Sequence, residues 1–137
     1  MTAETVATAM EQQTGANKEK LIAIVEDDAS LVDMFRDMLN LAGRWRLQFF
    51  TDGQDACDRL PELGADLILL DMTLPGLDGV SLYRLLRGHH KTKETPIIVI
   101  TASYGWELRR MGLSAGLLLR KPFEMRELLL MVQALLA

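Results

Sequence analysis

Four short apolar runs in this chain each end in residues that can handle charge. Leu21-Ile22-Ala23-Ile24-Val25 gives way to Glu26, Asp27 and Asp28, and Leu67-Ile68-Leu69-Leu70 gives way to Asp71. Ile97-Ile98-Val99-Ile100 is followed by Thr101, and Leu117-Leu118-Leu119 by Arg120, Lys121 and Pro122. Taken singly, each polar residue has a plain use. An aspartate after a strand caps a helix or forms a turn, acids favour the start of a helix, and a lone lysine belongs on the surface. Taken together they suit phosphoryl chemistry. Carboxylates crowded in one pocket repel one another, and a hard divalent cation with oxygen ligands, such as Mg²⁺, relieves that repulsion. Asp71 can attack phosphorus as a carboxylate nucleophile and form an acyl phosphate. The Lys121 ammonium and the Thr101 hydroxyl can neutralise the transferred oxygens. Acyl transfer fits poorly, because the pattern places neither His89 nor His90 near a Ser or Cys nucleophile.

That reading requires the four run ends to meet, so the elements between them matter. The runs are short, apolar throughout and bounded by polar residues, as expected of strands buried on both faces of a parallel sheet. Trp45 to Phe50 alternates more and fits an edge strand. Between the runs lie helical patterns. Leu31, Phe35, Met38, Leu39 and Ala42 recur at helical spacing before Gly43. Gly53 to Leu60 predicts a short helix stopped by Pro61, and Val80 to Arg87 a third. Trp106 to Met111 predicts a short or irregular fourth helix, since Gly105, Gly112 and Gly116 crowd it. Glu124 to Leu136 predicts the last. The alternation gives an α/β fold with a parallel sheet and helices on both faces. In such sheets ligands sit beyond the carboxyl ends of the strands, at the point where strand order reverses.

With 137 residues the chain has the size of one domain, and a 49% apolar content provides for a core. The net charge of −4 gives no basic balance for direct nucleic-acid binding. No apolar run approaches the length that spans a bilayer. Residues 1–19 are small and polar and read as a flexible tail without the features of a secretory leader. A single cysteine, Cys57, suits a reducing compartment, so the expected location is cytoplasmic.

From Lys20 to Ala137 the chain resembles a response regulator receiver domain of two-component signalling. The resemblance rests on Val25-Glu26-Asp27-Asp28, on Asp71-Met72-Thr73-Leu74-Pro75-Gly76-Leu77-Asp78-Gly79, on Thr101-Ala102 and on Lys121-Pro122-Phe123. It implies a flavodoxin-like, doubly wound sheet of five strands in the order 2-1-3-4-5, with five helices. It implies that Asp71 accepts phosphate from a histidine kinase or histidine phosphotransfer protein. Mg²⁺ would be held by Asp27, Asp71 and the Thr73 carbonyl, with Glu26 in its outer shell. Lys121 would pair with the phosphoryl group, Thr101 would swing toward it, and the Lys121–Pro122 peptide is expected to be cis. Asp28 has no clear direct role. The protein is then a switch rather than an enzyme, signalling through altered protein contacts.

Two positions depart from the family pattern. Leu118 stands where the family usually has an aromatic ring three residues before the lysine. Thr101 and Lys121 are 20 positions apart, a shorter interval than the pattern. The alternative reading is therefore a receiver fold kept as a non-phosphorylated interaction module. A metal-dependent phosphatase of related fold would need an acid two residues after its nucleophile, and that position is Thr73. The last helix carries Leu130, Met131 and Leu135 beyond its core stripe, which suggests a homodimer through the fourth and last helices.

Overall fold

The computed structural model describes residues 19–72, 78–102, 108–109, 112 and 117–137. Strands β1 (Leu21–Val25), β2 (Arg46–Phe50), β3 (Leu67–Asp71), β4 (Ile97–Thr101) and β5 (Leu118–Arg120) form one parallel sheet in the order β2-β1-β3-β4-β5. Four helices occur among the described residues, against the five expected: α1 (Ala29–Ala42), α2 (Gly53–Leu63), α3 (Gly79–Gly88) and α4 (Met125–Leu135). The expected helix over Trp106 to Met111 lies mostly outside them, with Leu108 and Arg109 helical. The tail also lies outside, apart from Glu19.

The continuous apolar runs are explained by burial on both faces. Every residue of β1, β3 and β4 is buried. On one face Ala23, Val25, Ile68 and Leu70 meet Ala56 and Leu60 of α2 and Leu82 and Leu86 of α3. On the other, Ile22, Ile24, Leu67 and Leu69 meet Phe35 and Leu39 of α1 and Leu128 and Val132 of α4. Right-handed crossovers require this division. The chain steps from β1 to β2 in one direction and from β2 through β3 to β4 in the other, so α1 and α2 fall on opposite faces.

Three local expectations change. The buried stripe of α1 is Val32, Phe35 and Leu39, leaving Leu31 and Met38 half-buried. Pro61 does not stop α2. Its ring is buried, which offsets the helical hydrogen bond its missing N–H forfeits, and the stop comes at Gly64, whose φ of 77° is left-handed. Finally, β5 begins at Leu118, one residue later than the apolar run suggested.

Candidate functional site

β1 and β3 are neighbours although β2 lies between them in sequence, so their carboxyl ends form the reversal point of the sheet. Glu26 follows β1, and Asp71 is the last residue of β3. Both are almost wholly buried, at 1% and 2% exposure, whereas Asp27 is exposed. Glu26, Asp27 and Asp71 each offer one carboxylate oxygen, and these atoms all lie within 4.8 Å of one another. Lys121, just past β5, reaches back across the sheet end. Its Nζ donates to Asp71 Oδ2 at 3.1 Å. Thr101 ends β4, is buried, and accepts the Lys121 backbone N–H on its carbonyl at 2.7 Å. The Lys121–Pro122 peptide is cis.

The acidic notch is electrostatically loaded. Burial first, and then a hydrogen bond to Asp71 and its charge, push Glu26 up to about 8 from its ordinary 4.5. The backbone N–H groups of Asp27 and Asp28 donate to Glu26 Oε2 at 3.0 and 3.5 Å. Glu26 Oε1 is buried with no hydrogen-bond partner among the described residues. An orphaned buried acceptor beside two more carboxylates suits a hard cation with oxygen ligands, Mg²⁺ above all. The donor set contains no imidazole or thiolate that would favour a softer metal.

The structure therefore brings together Glu26, Asp27, Asp71 and Lys121, with Thr101 joined to Lys121 through the backbone. Thr73 lies outside the described residues. Asp28 stands apart from the notch in function: its Oδ1 accepts the Ser30 and Leu31 N–H groups at 2.8 and 3.2 Å and caps α1. Cys57 is half-buried, and burial, followed by the Asp58 charge, raises its thiol pKa, which disfavours the thiolate.

Beside the notch lies a feature that the sequence did not reveal. An apolar groove of about 450 Å³ is lined by Leu31, Met34, Lys121, Pro122, Phe123 and Met125. Phe123 stacks on Phe35 with ring centroids 6.3 Å apart. On α1, Leu31 and Met34 belong to a row that runs on through Met38 and Leu41 at a 3-4-3 spacing. Met34 and Leu41 are 41% and 83% exposed. The spacing was legible, but it sits next to the buried stripe and merged with it in the sequence pattern.

The sequence model of the response regulator receiver domain matches residues 22–133. The chain belongs to this family. As a receiver domain it is a phosphoacceptor module of two-component signal transduction. It is 38% identical over 117 residues to the transcriptional regulatory protein GltR of Pseudomonas aeruginosa, covering 84% of this chain and 48% of that protein. It is equally 38% identical over 117 residues to the phosphate regulon regulator PhoB of Rhizobium meliloti, covering 84% and 51%. The receiver thus spans about half the length of these curated relatives. Among solved structures, it resembles the receiver domain of sensor histidine kinase PA1611 from Pseudomonas aeruginosa PAO1, with a TM-score of 0.75 and 30% identity over 86% of this chain and 98% of that one. That structure holds a magnesium ion in its active-site cleft. Among the described residues, no helix of this receiver is long and apolar enough to cross a membrane.

Proposed function

We propose that Asp71 is the phosphoacceptor, taking a phosphoryl group from the phosphohistidine of a sensor histidine kinase or histidine phosphotransfer protein. One observation carries the proposal: a buried aspartate at the sheet's reversal point, with an ammonium at 3.1 Å and two further carboxylates within 4.8 Å. In the transfer, the donor's N–P bond breaks, an O–P bond forms at an Asp71 carboxylate oxygen, and the imidazole leaves with its electron pair. Asp27 and Asp71 would hold Mg²⁺ together with the Thr73 carbonyl, and Glu26 would stand behind them. Bound there, the ion would supply positive charge to the phosphoryl oxygens. Lys121 exchanges its contact with Asp71 for one with the new phosphoryl group. Thr101, tied to Lys121 through the backbone, moves toward the same group and couples the phosphate to the β4 and β5 ends. Signalling requires only that the phosphorylated site bind one arrangement of these ends better than the other.

The donor needs a surface beside the notch. We assign it the α1 seam and the adjoining groove, because Lys121 belongs to both groove and site and the seam's spacing suits a partner helix. No finding favours the non-phosphorylated scaffold. A homodimer over the last helix draws support from Leu130 alone, which is 56% exposed on α4, because Met131 and Leu135, expected beside it, pack against the core instead. We place residues 20–137 in the receiver, residues 1–19 in a tail, and the protein in the cytoplasm. It then acts as a switch through protein contacts rather than by turnover of an external substrate. The test uses phosphoramidate and Mg²⁺ with the full chain. One hydroxylamine-labile phosphoryl group is expected by intact mass, absent in Asp71→Asn. An unmodified wild type, or a modified Asp71→Asn, overturns the proposal.

A further inference from the structure

The first turn of α3 presses on the peptide that follows Asp71. A Cβ built on Gly79 would stand 2.8 Å from Met72 Cα, 3.0 Å from its Sδ and 3.1 Å from its carbonyl oxygen. The sulfur ends a flexible side chain and can move aside. The Cα and carbonyl oxygen are backbone and cannot move without β3. Met72 is held from its other side as well, since its N–H donates to the Ile100 carbonyl at 3.0 Å, one residue before Thr101. Asp78 fixes the pressing turn: its carboxylate accepts the Val80 N–H at 3.1 Å and the Ser81 hydroxyl at 3.2 Å. Gly88, at the far end of the same helix, has open space where its Cβ would be. The close approach therefore belongs to the site end of α3.

We infer that Gly79 is a positioning residue of the phosphoacceptor site. Its missing side chain lets α3 clamp the Met72 peptide between itself and β4. The clamp holds the adjacent Asp71 carboxylate in place against Glu26, Asp27 and Lys121. This rests on the reading of Asp71 as phosphoacceptor and names a residue outside the acidic cluster that sets its geometry. Any side chain at position 79 displaces Met72 and with it the carboxylate, so metal affinity falls even where the fold survives.

The experiment measures the Mg²⁺ dissociation constant by calorimetry, and thermal unfolding in chelator, for the full chain. Gly79→Ala is expected to bind Mg²⁺ roughly tenfold or more weakly, the scale seen when residues behind metal ligands are disturbed. Gly88→Ala, on the same helix, keeps wild-type affinity. A purely structural role for Gly79 would lower the melting temperature and leave the affinity of the folded protein alone, and that result overturns the inference. The double variant Met72→Ala/Gly79→Ala stays weak, because the obstacle is backbone. Recovery of affinity in it would show that only the sulfur was in the way and also overturns the inference. If Gly79→Ala does not fold, Asp78→Ala loosens the same turn without adding an atom: weakened Mg²⁺ binding supports the clamp and unchanged binding refutes it. A wild type that neither binds Mg²⁺ nor accepts phosphate defeats the phosphoacceptor reading itself. A competent wild type matched by Gly79→Ala defeats only the clamp.

Discussion

Glu26 and Asp71 are buried side by side, and the proton on Glu26 absorbs part of the cost. Its folded value of about 8 lies above the ordinary 4.5, so between these values the folded protein binds more protons than the unfolded chain. Stability from this group is fully present below the ordinary value and is lost as pH rises through the folded one. In chelator, the melting temperature should fall between pH 5 and pH 8 through this group, and Glu26→Gln should flatten that fall. Mg²⁺ competes with the proton, so the stabilisation it confers should grow over the same interval. Thermal melts with and without Mg²⁺ at several pH values check both. Lys121 serves the opposite charge. Lys121→Ala should still take phosphate from phosphoramidate, but about 10²-fold more slowly, the scale of losing one preorganised electrostatic partner. Single-turnover rates under saturating Mg²⁺ measure this, and a wild-type rate would remove Lys121 from the chemistry.

At the scale of elements, α1 carries two apolar stripes with different duties. Val32, Phe35 and Leu39 are buried against the sheet, while Met34 and Leu41 face solvent. Exposed side chains of this kind contribute little to the fold, so Met34→Glu/Leu41→Glu should change stability by only about 0.5 kcal/mol per site. The same variant should lose phosphotransfer from a protein donor and keep it from phosphoramidate. Retained protein-borne transfer would move the docking surface elsewhere. The asymmetry has a physical origin, since the seam adjoins the groove that Lys121 shares with the site, whereas Phe35 is held under Phe123.

At the scale of the whole molecule, two cores sandwich one sheet, and all the candidate chemistry lies at its carboxyl edge. A change at Asp71 can spread because β3, β4 and β5 are joined in register up to their last residues. The readout leading from there is expected to include self-association. Beryllofluoride with Mg²⁺ should raise the dimer fraction in sedimentation velocity, and Leu130→Glu should abolish the increase. A monomer under all conditions would confine the receiver to heterologous partners.

The chain's own pattern determined much of this. Short unbroken apolar runs set between helical patterns fit strands with two covered faces, and in a parallel sheet the polar residues after each run share one edge. Those two facts, with the alternating Trp45–Phe50 segment as a fifth strand, made the strand count, the sheet type and the gathering of Glu26, Asp27, Asp71, Thr101 and Lys121 at one edge legible in the sequence. Other features depend on distances between residues remote in sequence. Only the packing separated the buried stripe of α1 from its neighbouring seam, because the two differ by a single residue step around the helix. Only the packing carried α2 past Pro61 and set Gly79 against Met72, whereas the Asp28 cap of α1 is a local contact of the kind already expected of an acid after a strand. A linear sequence records which residues are apolar or charged, but which of two adjacent faces meets the sheet is decided by how the helices close over it.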